Sequence, residues 1–378
     1  MSGGGARAAY QVGAVRAILD ICGRDSHPFD VYAGLSAGAI NSATLASRAD
    51  NFADAVEMLT NTWSSLTPDQ VYRTEPRKFA GIGLRWFKDL TLGGAIGVGH
   101  ANHLLDTAPL RELLGRRLDL SGIPGHVRSG ALRGVAVSAT NYLTGTIVSF
   151  FDGRPEIKPW VRYDRIAFRE TLTLDHVMAS AAIPMFFPPV SIEGRLFGDG
   201  GVRMTTPVSP VIHLGAEKIL AIGIRYARST EQTLQLNREM CAESVSIAQI
   251  GGVLLNALFL DSLDNDLERL QRINRTLSFV PEEMRTKHPD SLRRIPALSL
   301  RPSKDLGRLA ADEYKRFPST LRYLLRGIGA TGDSGWDLLS YLAFQPGYVA
   351  RLIELGYDDT MARRRELEAF FEAGPEDC

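Results

Sequence analysis

Gly34-Leu35-Ser36-Ala37-Gly38 is the stretch where residue types and spacing point most directly to chemistry. A Gly-x-Ser-x-Gly between a strand and a helix makes a nucleophile elbow, a sharp turn that lifts the serine hydroxyl clear of the backbone. Glycine on either side keeps side chains out of that turn. Serine at its free pKa is a weak nucleophile and needs a base within hydrogen-bond reach. Attack on a carbonyl also needs donors for the oxyanion that forms. Gly3-Gly4-Gly5-Ala6-Arg7 offers such donors, since a glycine turn feeding a helix points several amides at one spot. That opening also fits two other readings. Gly3-x-Gly5-x-x-Ala8 formally matches a dinucleotide fingerprint, and a glycine cluster at a terminus can simply be flexible. For the base, Asp199 stands in Gly198-Asp199-Gly200-Gly201, although an aspartate between glycines is, taken alone, most often a turn residue.

The elements that must position these residues are short. Val31-Tyr32-Ala33 reads as a buried strand entering the elbow, and Ala37, Ala39 and Ile40 as the helix leaving it. Val12, Val15, Ile18 and Leu19 recur at helical spacing behind the glycine turn, and Phe52, Ala55, Val56, Leu59 and Trp63 share one face of a second helix. Residues 132–140 and 146–151 read as strands joined by a turn, 104–118 and 173–182 as helices. A hairpin, 190–192 with 195–197, delivers Asp199, and Lys218 to Ile224 is a buried strand. Beyond Arg228 the chain is mostly helical, with strand-like runs at Thr276–Val280 and Ala297–Leu300. Residues 68–101 are less regular. Gly81 to Phe87 and Gly93 to Gly99 are read as a surface connection whose Trp86 and Phe87 tuck into the core, in preference to a lipid-facing flap.

With 44% hydrophobic and 23% charged residues and no net charge, the 378-residue chain carries no whole-molecule field to draw it to nucleic acid or anionic lipid. Cys22, Cys241 and Cys378 match no metal spacing, and His100, His103, His126 and His176 no ligand set, so neither metal nor cofactor is expected. A reducing, cytoplasmic compartment follows, with no apolar run near the roughly 18 residues of a membrane span and no secretory signal. The start, Met1-Ser2-Gly3, leaves no room for a full strand before the glycine cluster; either that strand is lost or the true start lies upstream. His213 supplies a rival base, because Ser36, Asp199, His213 is the chain order of a hydrolase triad. Too few residues precede the elbow for that fold, however, and His213 sits where it would cap the end of a helix.

Taken in order, the opening glycines with Arg7, the Ser36 elbow, Ala179-Ser180-Ala181-Ala182-Ile183-Pro184 followed by Phe187-Pro188-Pro189, and Asp199-Gly200-Gly201 resemble the bacterial patatin-like phospholipases, a family of lipid acyl hydrolases. The resemblance covers about residues 1–228 and implies a patatin-like three-layer α/β/α catalytic domain there, with a mainly parallel central sheet lacking its N-terminal strand. Residues 229–378 would be a mostly helical extension packed on it. It implies Ser36 as nucleophile, Asp199 as base in a dyad without histidine, and Gly3, Gly4 and Gly5 as the oxyanion hole, with Arg7 beside them. Arg7 would add positive charge or bind a substrate phosphate; as an ion-paired surface residue it would do neither. Ala8 replaces a glycine common after the basic residue, and without the first strand the oxyanion donors would lose their anchor. The implied substrate is a phospholipid or other acyl ester, met peripherally at a membrane, with no nucleic acid involved. Two rivals differ in class: a catalytically silent scaffold binding lipid or a partner, and a nucleotide-binding oxidoreductase.

Overall fold

The computed structural model describes residues 1–73, 75, 81, 103–226, 228–239, 244–285, 293–331 and 334–374. The glycine- and aromatic-rich stretch with Trp86 and Phe87, along with His100, Cys241 and Cys378, lies outside the described residues. From the opening glycines the chain enters α1 (Ala9–Cys22), then β1 (Val31–Leu35), the elbow and α2 (Ala37–Ala46), and α3 (Phe52–Ser64). Next come α4 (Ala108–Arg117), β2 (Gly134–Asn141), β3 (Ile147–Gly153), β4 (Val161–Arg162), β5 (Arg165–Arg169) and α5 (Leu174–Ser180). The hairpin β6 (Val190–Ile192) and β7 (Arg195–Asp199) leads to β8 (Ile219–Ile222). The C-terminal part contributes α6 (Ile247–Phe259), α7 (Asp261–Ser278), β9 (Ala297–Leu300), α8 (Trp336–Leu342) and α9 (Pro346–Met361).

The central sheet runs β4-β5-β3-β2-β7-β6, with β1 also on β2. β1 is parallel to β2 and β5 to β3, while β2–β3, β2–β7, β4–β5 and β6–β7 are antiparallel. The expected α/β architecture is present, but its sheet is mixed where a mainly parallel one was expected. Tight turns join β2 to β3 and β6 to β7, and a tight turn can only return a strand antiparallel. Side chains alternate across it. Val135, Val137, Ala139, Val148 and Phe150 join the main core under α2 and α5. Ala136, Phe151 and Ala167 face a smaller cluster with Trp160 and Leu214. Helices on both faces make the layers α/β/α.

β8 pairs only with β9 in a separate two-stranded sheet, parallel and in register Ile219↔Ala297. Met1 and Ser2 lie between this pair and the central sheet. The Met1 amine donates to the Ala33 carbonyl (2.8 Å), Leu35 N–H to Met1 O (3.3 Å), and Ser2 N–H to Ile222 O (3.3 Å). Gln11 Nε2 adds a bond to Ser2 O (2.8 Å). The glycine loop therefore keeps an anchor despite the missing strand: Met1 and Ser2 make two backbone bonds to β1 and one to β8.

Thr276–Val280 is not a strand. Helix α7 continues to Ser278, because Leu277 extends the buried stripe of Leu263, Leu267 and Leu270 at helical spacing. β-branched Thr276 suits a strand, but one residue's preference yields to burial of the whole face. The C-terminal helices also share the main core. α9 packs on α1 so closely that a β-carbon on Gly13 would sit 1.8 Å from the Ile353 carbonyl oxygen. Tyr10 and Val15 of α1 and Leu352 and Ile353 of α9 belong to one cluster.

Candidate active site

Strand register brings the two sequence motifs together. Leu35, the last residue of β1, pairs with Ser138 of β2, and Asp199, the last of β7, pairs with Ala139 one residue further on. Both strands share one edge of β2 and end head to head, so Ser36 and Asp199 leave the sheet at neighbouring positions. Ser36 has φ 54° and ψ −130°, a conformation L residues adopt only when their surroundings impose it. Its amide donates to Ser180 Oγ (3.0 Å), and Ser180 Oγ in turn donates to Ser138 O (2.7 Å). Ser180 thus ties the elbow to the central strand. Helix α2 starts directly behind the serine, aiming the positive end of its dipole at the hydroxyl.

Asp199 is wholly buried. Its Oδ1 accepts from Gly201 N–H (2.8 Å) and its backbone is pinned by Thr140 Oγ1 to Asp199 O (2.8 Å) and Asp199 N to Ala182 O (3.0 Å). Oδ2 has no hydrogen-bond partner. Burial pushes the carboxyl up to about 7, with the nearby Ser36 hydroxyl and the Gly201 amide pulling the other way. The serine is thus close enough to act on the carboxyl, while no bond of regular geometry joins them; such bonds are often long before substrate arrives.

The glycine loop closes on the same point. A β-carbon on Gly3 would fall 2.8 Å from Ser36 Cβ, so only glycine lets the loop approach the serine this closely. The Gly3, Gly4 and Gly5 amides donate to no loop carbonyl among the described residues, and Gly5 opens the short 3-10 turn (Gly5–Ala8) that leads into α1. Beside Ser36 lies a narrow cavity of about 40 Å³ lined almost wholly by apolar side chains, among them Ile40, Trp63, Leu66, Leu110, Ile183 and Phe344. Ser36 itself is only 1% exposed.

Arg7 is neither a surface residue nor free to meet a phosphate. It is buried, with Nε donating to Ser340 Oγ (2.7 Å), Nη1 to Asn256 Oδ1 (3.1 Å) and Nη2 to Asp337 Oδ1 (2.9 Å), and its guanidinium lies 4.3 Å from the Tyr341 ring centre. Every partner comes from α6 or α8, so Arg7 fastens the glycine loop to the C-terminal helices. His213 stands elsewhere. It lies flat on Trp160 (4.6 Å, 13°) at the end of a short helix, and burial pushes it down to about 4. Stacking, not a carbonyl cap, explains its place. Among the described residues no group of three or more His, Cys, Asp or Glu could hold a metal ion.

Ser180 was within reach of sequence reading, since it falls inside Ala179–Pro184. Asn256, Asp337 and Phe259, whose ring packs on Gly201 and Gly3, were not, because they come from a region with no motif. A family model described as patatin-like phospholipase matches residues 1–212 of the 378, more than half of the chain. That span holds the elbow, the glycine loop and the buried aspartate, and the chain belongs to the patatin-like phospholipase family.

Proposed function

We propose that the protein is a serine lipid acyl hydrolase of phospholipase A or lysophospholipase type, working through a Ser36–Asp199 dyad. Membership of the family supports lipid acyl hydrolysis in general; the residue roles are our reading. The observation that carries it is the buried Asp199, with Oδ2 unpartnered and a carboxyl pushed up to about 7, beside a serine held at φ 54°. A carboxylate near its usual 3.8 is a poor proton acceptor, whereas one near 7 is matched to the working pH.

In the proposed reaction Asp199 takes the Ser36 proton as the serine oxygen attacks the acyl carbonyl. The Gly3, Gly4 and Gly5 amides hold the oxyanion, a contribution of about 3 kcal/mol per well-placed donor. Asp199 then returns the proton to the departing alcohol oxygen, and water, activated by the same carboxylate, releases the fatty acid. The apolar lining beside Ser36 matches an acyl chain in character, although the cavity of about 40 Å³ must widen to admit one. Residues 1–228 carry the chemistry in this scheme, and residues 229–378 brace it through Arg7 and α9.

Fluorophosphonate labelling tests the proposal directly, because only an activated serine reacts. Labelling is expected on wild type and lost in Ser36→Ala. Absence of labelling under conditions that support folding would return the protein to the silent lipid- or partner-binding scaffold.

A further inference from the structure

Helix α6 has one face on the candidate site and the other in the open. Ala248, Gly252, Leu255 and Phe259 are buried, and the Phe259 ring lies against Gly201 and Gly3, next to Asp199 and Ser36. On the opposite face Ile247, Ile250, Val253 and Leu254 are 52–69% exposed. Their spacing, followed by exposed Ala257, makes one continuous apolar stripe. No residue of Ile247–Phe259 is ionisable. A stripe of this kind is unusual on a surface that meets only water.

Lipid is the occupant the surroundings favour. Contrary to the expectation of no such run, Ile247–Ser278 is, among the described residues, the one helical run long and apolar enough to cross a membrane, but its inner face is committed to the protein. An apolar outer face over a packed inner one suits a helix lying in the lipid interface, not one spanning it. The neighbouring helix Ser319–Gly327, joined to the start of α6 by Ala248 N–H to Ile328 O (2.9 Å), exposes Tyr323 (79%) and Leu324 (40%) beside Arg322 and Arg326. Aromatic and cationic side chains around an apolar stripe complement the headgroup layer. The candidate site is also shut: Ser36 is 1% and Asp199 0% exposed, and the cavity of about 40 Å³ is too small for an acyl chain.

We propose that α6 is an interfacial lid whose outer stripe docks on a phospholipid surface and, in docking, draws Phe259 away from Gly3 and Gly201 to admit an acyl ester to Ser36. The docking surface stands on its own observations; the gate rests on the hydrolase reading above. The experiment compares wild type, Val253→Asp with Leu254→Asp, and Phe259→Ala. Each is assayed for sedimentation with phosphatidylglycerol–phosphatidylcholine vesicles, for fluorophosphonate labelling with and without vesicles, and for mass by light scattering. Wild type should bind vesicles and label at least about tenfold faster in their presence. The outer-face double variant should bind at least about tenfold more weakly, since charge replaces inserted apolar surface, and should label without vesicles at the wild-type rate. Phe259→Ala should label quickly without vesicles, with little further stimulation. Unchanged vesicle binding by the double variant would overturn the docking surface. A dimer that the double variant dissociates would assign the stripe to a second copy and overturn it too. Vesicle binding with an unchanged labelling rate in wild type and Phe259→Ala would overturn the gate. No labelling of any protein would count against the hydrolase reading and the gate, with vesicle binding still deciding the docking surface.

Discussion

Replacing Asp199 by Asn should make the protein inactive and, above neutral pH, more stable. The carboxyl ordinarily ionises near 3.8 and burial pushes it up to about 7 in the fold. Each pH unit across that gap corresponds to about 1.4 kcal/mol, so ionised Asp199 opposes folding by about 4 kcal/mol. Well below pH 3.8 the side chain is neutral in both states and the full stability is present. Between about 4 and 7 the unfolded chain releases a proton that the folded chain keeps, so wild-type stability falls as pH rises; above 7 the loss is complete. The asparagine of Asp199→Asn cannot ionise. Its Oδ1 can still accept from Gly201, but its amide would meet the pocket where Oδ2 lacks a partner, which costs about 1 kcal/mol or more. The stability of Asp199→Asn minus that of wild type should therefore rise by about 2–4 kcal/mol between pH 4 and pH 8, the pH dependence of all other groups cancelling. Urea unfolding at the two pH values measures it, and hydrolysis of a soluble nitrophenyl ester should fall by about a hundredfold or more in the same variant. Parallel stability–pH curves for the two proteins would refute the buried, raised carboxyl, and retained turnover would refute its role as base.

For the wild type, kcat/KM for that ester should rise with pH to half its plateau at about pH 7, because the base works only when deprotonated. A limb near 4 that His213→Ala removes would shift the base to that histidine, which burial pushes down to about 4. Asp337→Ala should leave the Arg7 guanidinium buried without its carboxylate and destabilise the protein by about 2–3 kcal/mol, somewhat less than a fully buried pair would lose, since Asp337 is itself 31% exposed. It should lower kcat more than KM, seen in steady-state kinetics, as the glycine loop loosens; an unchanged kcat would deny Arg7 its positioning role. Ser180→Ala strips partners from the Ser36 amide and the Ser138 carbonyl, and should cost about 2 kcal/mol in urea unfolding together with most of the turnover.

Local chemistry was legible from the chain alone. The elbow at Ser36, the helix behind the opening glycines, the hairpin ending in Asp199 and the β9 strand all announce themselves through glycine placement and apolar periodicity, which act over a few neighbouring residues. Their meeting was implied only by the family resemblance: it depends on β1 and β7 ending at Ser138 and Ala139 on one edge of β2, a matter of register between segments about 60 to 100 residues apart in the chain. The direction of the shift at Asp199 could be expected from partial burial, but its size could not, since a proton's affinity reflects how completely water is excluded around the carboxyl. The same limit hid the place of Arg7, whose partners Asn256, Asp337 and Ser340 are drawn from helices with no motif. And it misplaced Thr276–Val280, where the buried stripe of α7 outweighed a local preference for strand. Sequence determined which groups can do chemistry; packing decided which of them meet, and in what dielectric, because burial and long-range pairing exist only once the chain has folded.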